Sequence, residues 1–212
     1  MDCEFKMAAF TEDAIRDELK FYGVSATAEV CAAIRAYTPL LQRWNRSISL
    51  TTVTNPLDII RFHFGESMFA ASAIPLNGRL ADVGSGAGFP GIPLKILIPS
   101  LSIVLIESNA KKAGFLAEAV RVLGLEDVEV YRGRFEELAS SPGFDFVTAR
   151  ALGMHDELAA WSRDALNDRG NLVLWLGADD AAQVSMNNLW HWRKPLPIPG
   201  SHSRVIVVGS PA

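Results

Sequence analysis

Cysteine is scarce in this chain of 212 residues, which argues against a disulfide-stabilised domain and against a zinc site. The two cysteines, Cys3 and Cys31, form no Cys-x-x-Cys pair, and no histidine cluster lies near them in the sequence. Disulfide-stapled domains and zinc sites both carry several cysteines or histidines at recurrent spacings, so the sequence predicts neither. We therefore expect a protein of the reducing cytoplasm that binds no metal ion.

Long hydrophobic runs are absent as well. Near the start of the chain, Asp2, Glu4 and Lys6 occupy positions where a signal peptide would have an apolar segment. The apolar stretch over residues 96–106 is only 11 residues long and contains a proline and two serines. A membrane-spanning helix needs about 20 apolar residues. The sequence therefore predicts no secretion signal and no contact with a membrane.

Neither sign of charge dominates. The chain has 20 Lys and Arg against 24 Asp and Glu, a formal net charge of −4. This balance argues against non-specific nucleic-acid binding over the whole surface but permits a local basic patch. Hydrophobic residues make up 49% of the chain and charged residues 21%, so we expect a folded protein with one large domain or a core with a modest addition.

The helical signals lie in the first part of the chain, before Asn77. Thr11 is a predicted N-cap and Gly23 a predicted helix end, and an apolar stripe at helical spacing indicates a long second helix. Asn55, followed by proline, starts a third helix. We predict an N-terminal helical cap over residues 1–76.

Residues 77–212 alternate short apolar strands with helices, which predicts a parallel sheet covered on both faces. The predicted parallel strands are residues 80–83, 102–106, 128–131, 144–148 and 172–176. Two further strands, residues 189–194 and 205–208, are joined by a proline-rich segment too short for a crossover helix. We therefore expect these two strands to be antiparallel neighbours.

A glycine-rich turn over residues 82–91 is the most informative segment. Gly84, Gly86 and Gly88 allow the backbone to turn sharply and to approach a ligand closely, since a Cβ atom would collide with it. Read from Gly86, the turn matches the dinucleotide pattern G-x-G-x-x-G, but its first glycine then lies two residues beyond the strand. Read from Gly84, it has an acidic residue, Asp82, two positions before the first glycine. We favour this second register, which is typical of Rossmann-like methyltransferases that bind S-adenosylmethionine.

Three more residues lie at the same end of the predicted sheet. Glu107 ends the second strand, where a carboxylate can accept hydrogen bonds from both ribose hydroxyls of an adenosine, or is simply a surface glutamate. Phe135, after the third strand, could flank an adenine ring or start a helix in the core. Arg150 follows the fourth strand, where it could meet a phosphate or a base.

Together these features resemble the bacterial small-subunit ribosomal RNA methyltransferase G family, also called glucose-inhibited division protein B. The resemblance is carried by residues 82–94, DVGSGAGFPGIPL, against the family's DVG-S/T-G-x-G-x-PGIPL. It spans residues 35–209. It continues at Trp44, Asn45, His63, Glu66, Ser67, Lys111, Lys112, Arg134, Phe135, Glu136, Glu137, Arg150 and Ala151.

The resemblance implies an α/β, Rossmann-like class I methyltransferase with a seven-stranded, mostly parallel sheet, an antiparallel last strand and an N-terminal helical cap, in one compact unit. It implies methylation of N7 of a guanine in 16S ribosomal RNA or the 30S subunit, with S-adenosylhomocysteine as product. We further expect a monomer. The cofactor contacts that the resemblance implies are Gly84, Phe89, Phe135, Glu136 and Arg150; to these we add Asp82, Gly86, Gly88 and Glu107. The family usually has aspartate where Glu107 stands.

The acceptor side of the sequence departs more from the family. Ser49 replaces the asparagine of an Asn-Leu-Thr segment, and Phe62 replaces the arginine before His63. Leu176 replaces the lysine of a Lys-Gly pair, and Val205 the histidine of an Arg-His pair. These departures leave open a different substrate or lost activity.

His63 and Arg150 are the candidate catalytic residues. His63 could face the acceptor base or be a satisfied polar group on a partly buried helix. A basic rim could bind RNA phosphates, although each of its charges could equally belong to a solvated helix face. Its candidate members are Arg43, Arg46, Arg61, Lys111, Lys112, Arg132, Arg134 and Arg204.

The chemistry agrees with an N7 acceptor. Guanine N7 has an in-plane lone pair and no proton, so its methylation needs no general base. Exocyclic-amine methyltransferases carry an Asn/Asp-Pro-Pro-aromatic motif, absent where the fourth strand ends at residues 148–151. Methylation of cytosine C5 needs a cysteine nucleophile, and both cysteines lie far from the glycine turn. Two alternatives remain: a small-molecule methyltransferase, and a catalytically silent cofactor- or RNA-binding module in ribosome assembly.

Overall fold

Four α-helices form the N-terminal part of the structure, a computed structural model that describes residues 11–138 and 143–212. They are α1 (Glu12–Lys20), α2 (Ala28–Asn45), α3 (Pro56–Ile59) and α4 (Glu66–Ala73). The side chain of Thr11 accepts a hydrogen bond from the Ala14 amide, and that of Asn55 accepts from the amides of Leu57 and Asp58. Both predicted helix starts are therefore confirmed. Cys3 lies outside the described residues.

A π-helical turn, Ile60–Gly65, joins α3 to α4 and was not predicted from the sequence. The wider π turn occurs mostly as a single turn within a longer helix and often at functional sites. Here it contains Phe62 and His63 and leads directly to Glu66. Three side chains of the site described below therefore depend on this local change of helix geometry.

The rest of the chain alternates strands and helices, as predicted. The strands are β1 (Arg79–Val83), β2 (Ser102–Ile106), β3 (Val128–Tyr131), β4 (Phe144–Arg150), β5 (Leu166–Gly177), β6 (Trp190–Trp192), β7 (Leu196–Pro197) and β8 (Arg204–Pro211). The helices are α5 (Gly91–Leu97), α6 (Ala110–Leu123), α7 (His155–Ala165) and α8 (Ala178–Val184), with a short 3₁₀ turn, Phe135–Glu137. Helix α8 was not predicted, and β5 begins six residues earlier than expected.

The strands form one sheet in the order β3-β2-β1-β4-β5-β8-β6, with the two-residue β7 also paired to β8. Strands β1 to β5 are parallel, and β8 is antiparallel to β5 and to β6. The predicted mostly parallel, Rossmann-like sheet and its antiparallel last strand are confirmed. The seven strands of the main order agree with the predicted number, and β7 is an addition.

Both faces of the sheet are buried, because successive side chains of a strand point to opposite faces. On one face, Leu80 and Phe146 pack with the N-terminal helices, including the fully buried Tyr37 and Phe64. The other face, with Ala81 and neighbouring strand residues, packs against α7 and α8. A division into a cap over 1–76 and a domain over 77–212 stays a prediction. Within the described ranges, no helix is long and apolar enough to span a membrane.

Candidate active site

The strand order reverses at β1, which lies between β2 and β4. In open α/β sheets, ligands bind at such a point, beyond the carboxyl ends of the strands. A pocket with an empty volume of about 400 Å³, including the part open to solvent, lies there. We call it the donor pocket. Its lining residues are Val83, Gly84, Ile106, Ser108, Gly133, Arg134, Phe135, Glu136, Leu152 and Met154.

The backbone of the glycine turn forms one wall of the donor pocket at Gly84. Gly84 has a φ of +69°, and a Cβ atom there would lie 2.6 Å from Cδ1 of Leu152. The conformation and the close approach both require glycine. Gly86 and Gly88 also have positive φ angles but do not line the pocket. Of the three predicted glycines, the structure therefore places only Gly84 directly at the pocket.

Glu107 supports the glycine turn from β2. Its carboxylate accepts hydrogen bonds from the Gly86 amide (2.9 Å) and the Asn109 amide (2.8 Å), and the residue is only 7% exposed. Each carboxylate oxygen can accept more than one hydrogen bond. The predicted bonds to a ribose are thus compatible with this arrangement and stay a prediction. The bonds to the two amides give Glu107 a second role that the sequence did not indicate.

Asp82, predicted as a cofactor contact, lies behind the turn instead of facing the pocket. Its carboxylate is fully buried and accepts hydrogen bonds from the Gly91 amide (3.1 Å) and the Thr148 hydroxyl (3.2 Å). Burial raises the pKa of this carboxyl group to about 7. Asp82 therefore connects the end of the glycine turn to β4, and any effect on a ligand would act through the backbone.

Phe135 and Glu136 line the donor pocket, and their contact with a cofactor stays a prediction. The Phe135 ring is buried and packs edge-on against Trp161, with 5.4 Å between ring centroids. Arg134 donates a hydrogen bond of 2.9 Å to the Glu136 carboxylate. An aromatic ring and a carboxylate thus occupy the side of the pocket that is formed by the turn after β3.

The ring of Phe89, within the glycine turn, packs on the ring of His63. Their rings are stacked with 4.4 Å between centroids, and neither lines the donor pocket. The His63 Nε2 atom lies 2.7 Å from the Thr51 hydroxyl. Burial, reinforced by the charge of Arg150, lowers the pKa of His63 to about 3. His63 is therefore a neutral imidazole at physiological pH.

The helical region also contacts the glycine turn through Tyr37. Its buried hydroxyl donates a hydrogen bond to the carbonyl of Ala87. The Tyr37 ring packs edge-on against Phe64 and Phe89. In the sequence, Tyr37 belongs to the apolar stripe that predicts α2, and its spacing is the same whether the ring only fills the core or also contacts a loop.

A second pocket lies on the other side of the loop that follows β4, with an empty volume of about 840 Å³. Its lining residues are Glu66, Arg150, Ala151, Gly153, His155, Trp175, Leu176, Gly177, Asp180, Ile198 and Arg204. Leu152 and Met154 of the same loop line the donor pocket. Alternate residues of one loop therefore form walls of two adjacent pockets.

A buried carboxylate, Glu66, joins two arginines at the second pocket. Glu66 is 1% exposed. Its carboxylate oxygens lie 3.2 Å from Nη2 of Arg150 and 2.7 Å from Nη2 of Arg204. Burial raises the pKa of Glu66 while the two guanidinium groups lower it, and burial lowers the pKa of Arg150. This role was not predicted from the sequence, because a buried acid needs a charged partner and the partner Arg150 lies 84 positions away.

The departure at Phe62 contributes to the same cluster. The Arg204 guanidinium lies over the Phe62 ring at 5.3 Å from its centroid, and the Phe62 carbonyl accepts a hydrogen bond of 2.7 Å from Arg150. Leu176 is buried and lines the second pocket. Val205 lies in β8, paired with Leu176, and Ser49 is exposed. At the position before His63, where the family has arginine, Phe62 therefore packs against the guanidinium group of Arg204.

The predicted basic rim is only partly available to a ligand. Arg43 pairs with Glu118 (2.6 Å), and Arg61 with Glu18 (2.7 Å). Lys111 is exposed and Lys112 half-buried, in the first turn of α6 beside Ser108 of the donor pocket. Arg46 is exposed after α2, and Arg132 follows β3. In the described part of the chain, no group of three or more His, Cys, Asp or Glu side chains could hold a metal ion.

Solved structures of two methyltransferases have a fold similar to that of this chain. A glycopeptide N-methyltransferase, MtfA, in complex with S-adenosylmethionine superposes with a TM-score of 0.61 and 11% identity over 71% of this chain and 87% of that one. A ribosomal protein L11 methylase from Lactobacillus delbrueckii subsp. bulgaricus gives a TM-score of 0.56 and 15% identity, over 71% and 79%.

Sequence relatives are much closer. The ribosomal RNA small subunit methyltransferase G of Xylella fastidiosa (strain 9a5c) is 41% identical over 151 residues, 71% of each chain. That of Nitrosospira multiformis is 36% identical over 200 residues, 90% of this chain and 92% of the relative. The family model described as rRNA small subunit methyltransferase G matches residues 30–191. With its donor pocket at the sheet switch point and this match over most of its length, the chain belongs to the rRNA small subunit methyltransferase G family.

Proposed function

We propose that this protein transfers a methyl group from S-adenosylmethionine to N7 of a guanine in 16S ribosomal RNA. Family membership supports the reaction class, S-adenosylmethionine-dependent methylation of small-subunit ribosomal RNA. The observation that carries the proposal is the pair of pockets that share the loop after β4 as a common wall. Such a pair can place a methyl donor and a nucleotide side by side.

The donor pocket fits an adenosyl group. At Gly84 the backbone itself forms the wall, and a Cβ atom there would collide with Leu152, which lines the same pocket. Phe135 offers an aromatic ring, and the nearby Glu107 carboxylate has remaining lone pairs toward a ribose. When bound, S-adenosylmethionine supplies an electrophilic methyl group on a sulfonium centre.

The chain's own residues then have to position the reactants. Guanine N7 carries a lone pair and no proton, so no side chain has to remove one. Holding two reactants in line can lower a barrier by ~7–11 kcal/mol. The base becomes cationic on methylation, and the neutral His63 adds no opposing charge. We assign positioning to the walls of the two pockets, including Arg150.

We extend the proposal to the setting of the reaction. The protein acts as a monomer in the cytoplasm, where ribosomal subunits are assembled, and it needs no metal ion because N7 requires no Lewis acid to attack the methyl group. The N-terminal helices form a cap on the methyltransferase domain.

Lys111 and Lys112, beside the donor pocket, contact RNA phosphates.

Transfer of tritium from labelled S-adenosylmethionine tests the function. We expect incorporation into unmethylated 30S subunits or 16S RNA, recovered as 7-methylguanosine after digestion, with subunits already methylated at the same nucleotide as the control. Label on an exocyclic nitrogen would contradict the N7 assignment. Cofactor binding without RNA turnover would favour the silent module, and turnover of small molecules alone would favour the other alternative.

A further inference from the structure

The second pocket contains two cationic side chains that share one buried carboxylate. Arg150 and Arg204 both form ion pairs with the buried Glu66, so this cluster of two guanidinium groups and one carboxylate has one positive charge in excess. The other acid of the pocket, Asp180, is exposed at the start of α8 and screened by solvent. The cluster is thus suited to an anion.

Both arginines also have hydrogen-bonding capacity left over. Among the described residues, Nη1 of Arg150 and Nε of Arg204 are buried and have no hydrogen-bond partner. Buried donors without a partner are costly in a folded protein. These two atoms are themselves shielded from solvent, but the Arg204 side chain is 42% exposed and lines the second pocket, so a ligand there can accept hydrogen bonds from its guanidinium group.

From this geometry we propose that Arg150 and Arg204 bind a phosphate of the acceptor nucleotide, with Glu66 as the positioning residue that holds them. The inference rests on the proposed function, because it takes the second pocket to be the acceptor side. A guanidinium pair matches the geometry of a phosphate. The guanidinium pair does not suit N7 of the acceptor guanine. A hydrogen bond from an arginine to N7 would occupy the lone pair that attacks the methyl group, and the methylated base is itself cationic.

Glu66 acts through the arginines and is not accessible to RNA. It lies at the start of α4, immediately after the π turn, and its carboxylate separates the two guanidinium groups. The Phe62 carbonyl and ring hold the same two groups from the preceding turn. The phosphate site is therefore arranged by the N-terminal helices, whereas its arginines come from β4 and β8.

The direct test is binding of unmethylated 30S subunits to Arg204→Gln over a range of salt concentrations. We expect Kd to rise about tenfold. The plot of the logarithm of the association constant against the logarithm of the salt concentration should become less steep by about 0.7, the value for one lost phosphate contact with single-stranded RNA. Arg204→Lys keeps the charge and should retain the wild-type slope. Arg163→Gln, an exposed arginine of α7, is the matched control and should change neither quantity.

Glu66→Gln tests the positioning role. It should raise Kd for the subunits about fivefold or more in the wild-type background but have little further effect in Arg204→Gln, since coupled residues are not additive. Affinity for S-adenosylhomocysteine and the melting temperature identify a variant that is merely misfolded. If Glu66→Gln does not fold, the Arg204 variants decide the matter alone.

The outcomes separate this inference from the proposed function. If Arg204→Gln binds subunits with the wild-type Kd and salt slope, the phosphate site is wrong, whether or not methylation proceeds. If the expected changes in binding occur but the wild-type protein methylates no RNA, the phosphate site stands and the enzymatic proposal fails. If the wild-type protein does not bind subunits at all, both are contradicted.

Discussion

At the residue scale, Glu107 combines a contact within the protein with a predicted contact to the ligand. We expect Glu107→Ala to weaken S-adenosylmethionine binding roughly 10- to 100-fold, because it removes both the support of Gly86 and the predicted ribose partner. Isothermal titration calorimetry measures this, with Glu129→Ala, an exposed residue of β3, as the control. Unchanged affinity would remove Glu107 from the site.

Asp82 makes stability depend on pH. Burial raises its pKa to about 7, against ~3.9 in an unfolded chain. Between these values the folded state retains a proton that the unfolded state has released, so raising the pH destabilises the fold until about pH 7 and has no further effect through this group above it.

Asp82→Asn should remove that dependence. From pH 5 to pH 7, we expect the free energy of unfolding of the wild-type protein to fall relative to the variant by a few kcal/mol, at about 1.4 kcal/mol per pH unit. Urea unfolding at several pH values measures it, with the exposed Asp156→Asn as control. A difference between wild type and variant that stays constant with pH would show that Asp82 is ionised throughout.

The site residues differ in how far the sequence could predict them. Glu107 and Phe135 follow from their places at strand ends, where any ligand of such a sheet must lie. Glu66 and Tyr37 could not be assigned in this way, because their partners are distant in the sequence. Glu66 meets Arg150 across 84 positions, and Tyr37 meets Ala87 across 50.

At the scale of elements, α2 holds the glycine turn through one hydrogen bond. Tyr37→Phe removes the hydroxyl that binds the Ala87 carbonyl and leaves that buried carbonyl without this donor. We expect a loss of stability of about 1–3 kcal/mol and weaker S-adenosylmethionine binding, because the turn is less well held. Denaturant unfolding and calorimetry measure the two effects.

The control for this variant is Tyr22→Phe, whose ring packs against Gly65 of the π turn and not against the glycine turn. It should leave cofactor affinity unchanged. Equal cofactor affinity in Tyr37→Phe and the wild-type protein would mean that the glycine turn keeps its shape without this hydrogen bond.

The elements themselves were predictable to different degrees. Strands β2 and β3 have the predicted bounds, since short apolar runs between turns define buried strands well. The π turn and α8 were missed. A single π turn is too short to show a hydrophobic period, and α8 is a seven-residue helix with two aspartates in its first turn and only two buried residues.

At the scale of the whole molecule, the N-terminal helices and the sheet share one apolar core. Tyr37, Phe64, Leu80 and Phe146 belong to the same buried cluster. We therefore predict a single cooperative unfolding transition, with coincident curves from far-ultraviolet circular dichroism and tryptophan fluorescence. Two separated transitions would show that the helical cap and the sheet region unfold independently.

By itself, the sequence determined the class of the fold, the glycine turn and the family, because these depend on local periodicity and on motifs of adjacent residues. Only the tertiary structure decided which of the motif residues reach a pocket, and it brought Glu66, Arg150 and Arg204 together from α4, β4 and β8. The physical reason is that burial and charge pairing depend on contacts between distant segments. Those contacts cannot be predicted from the spacing of residues along the chain.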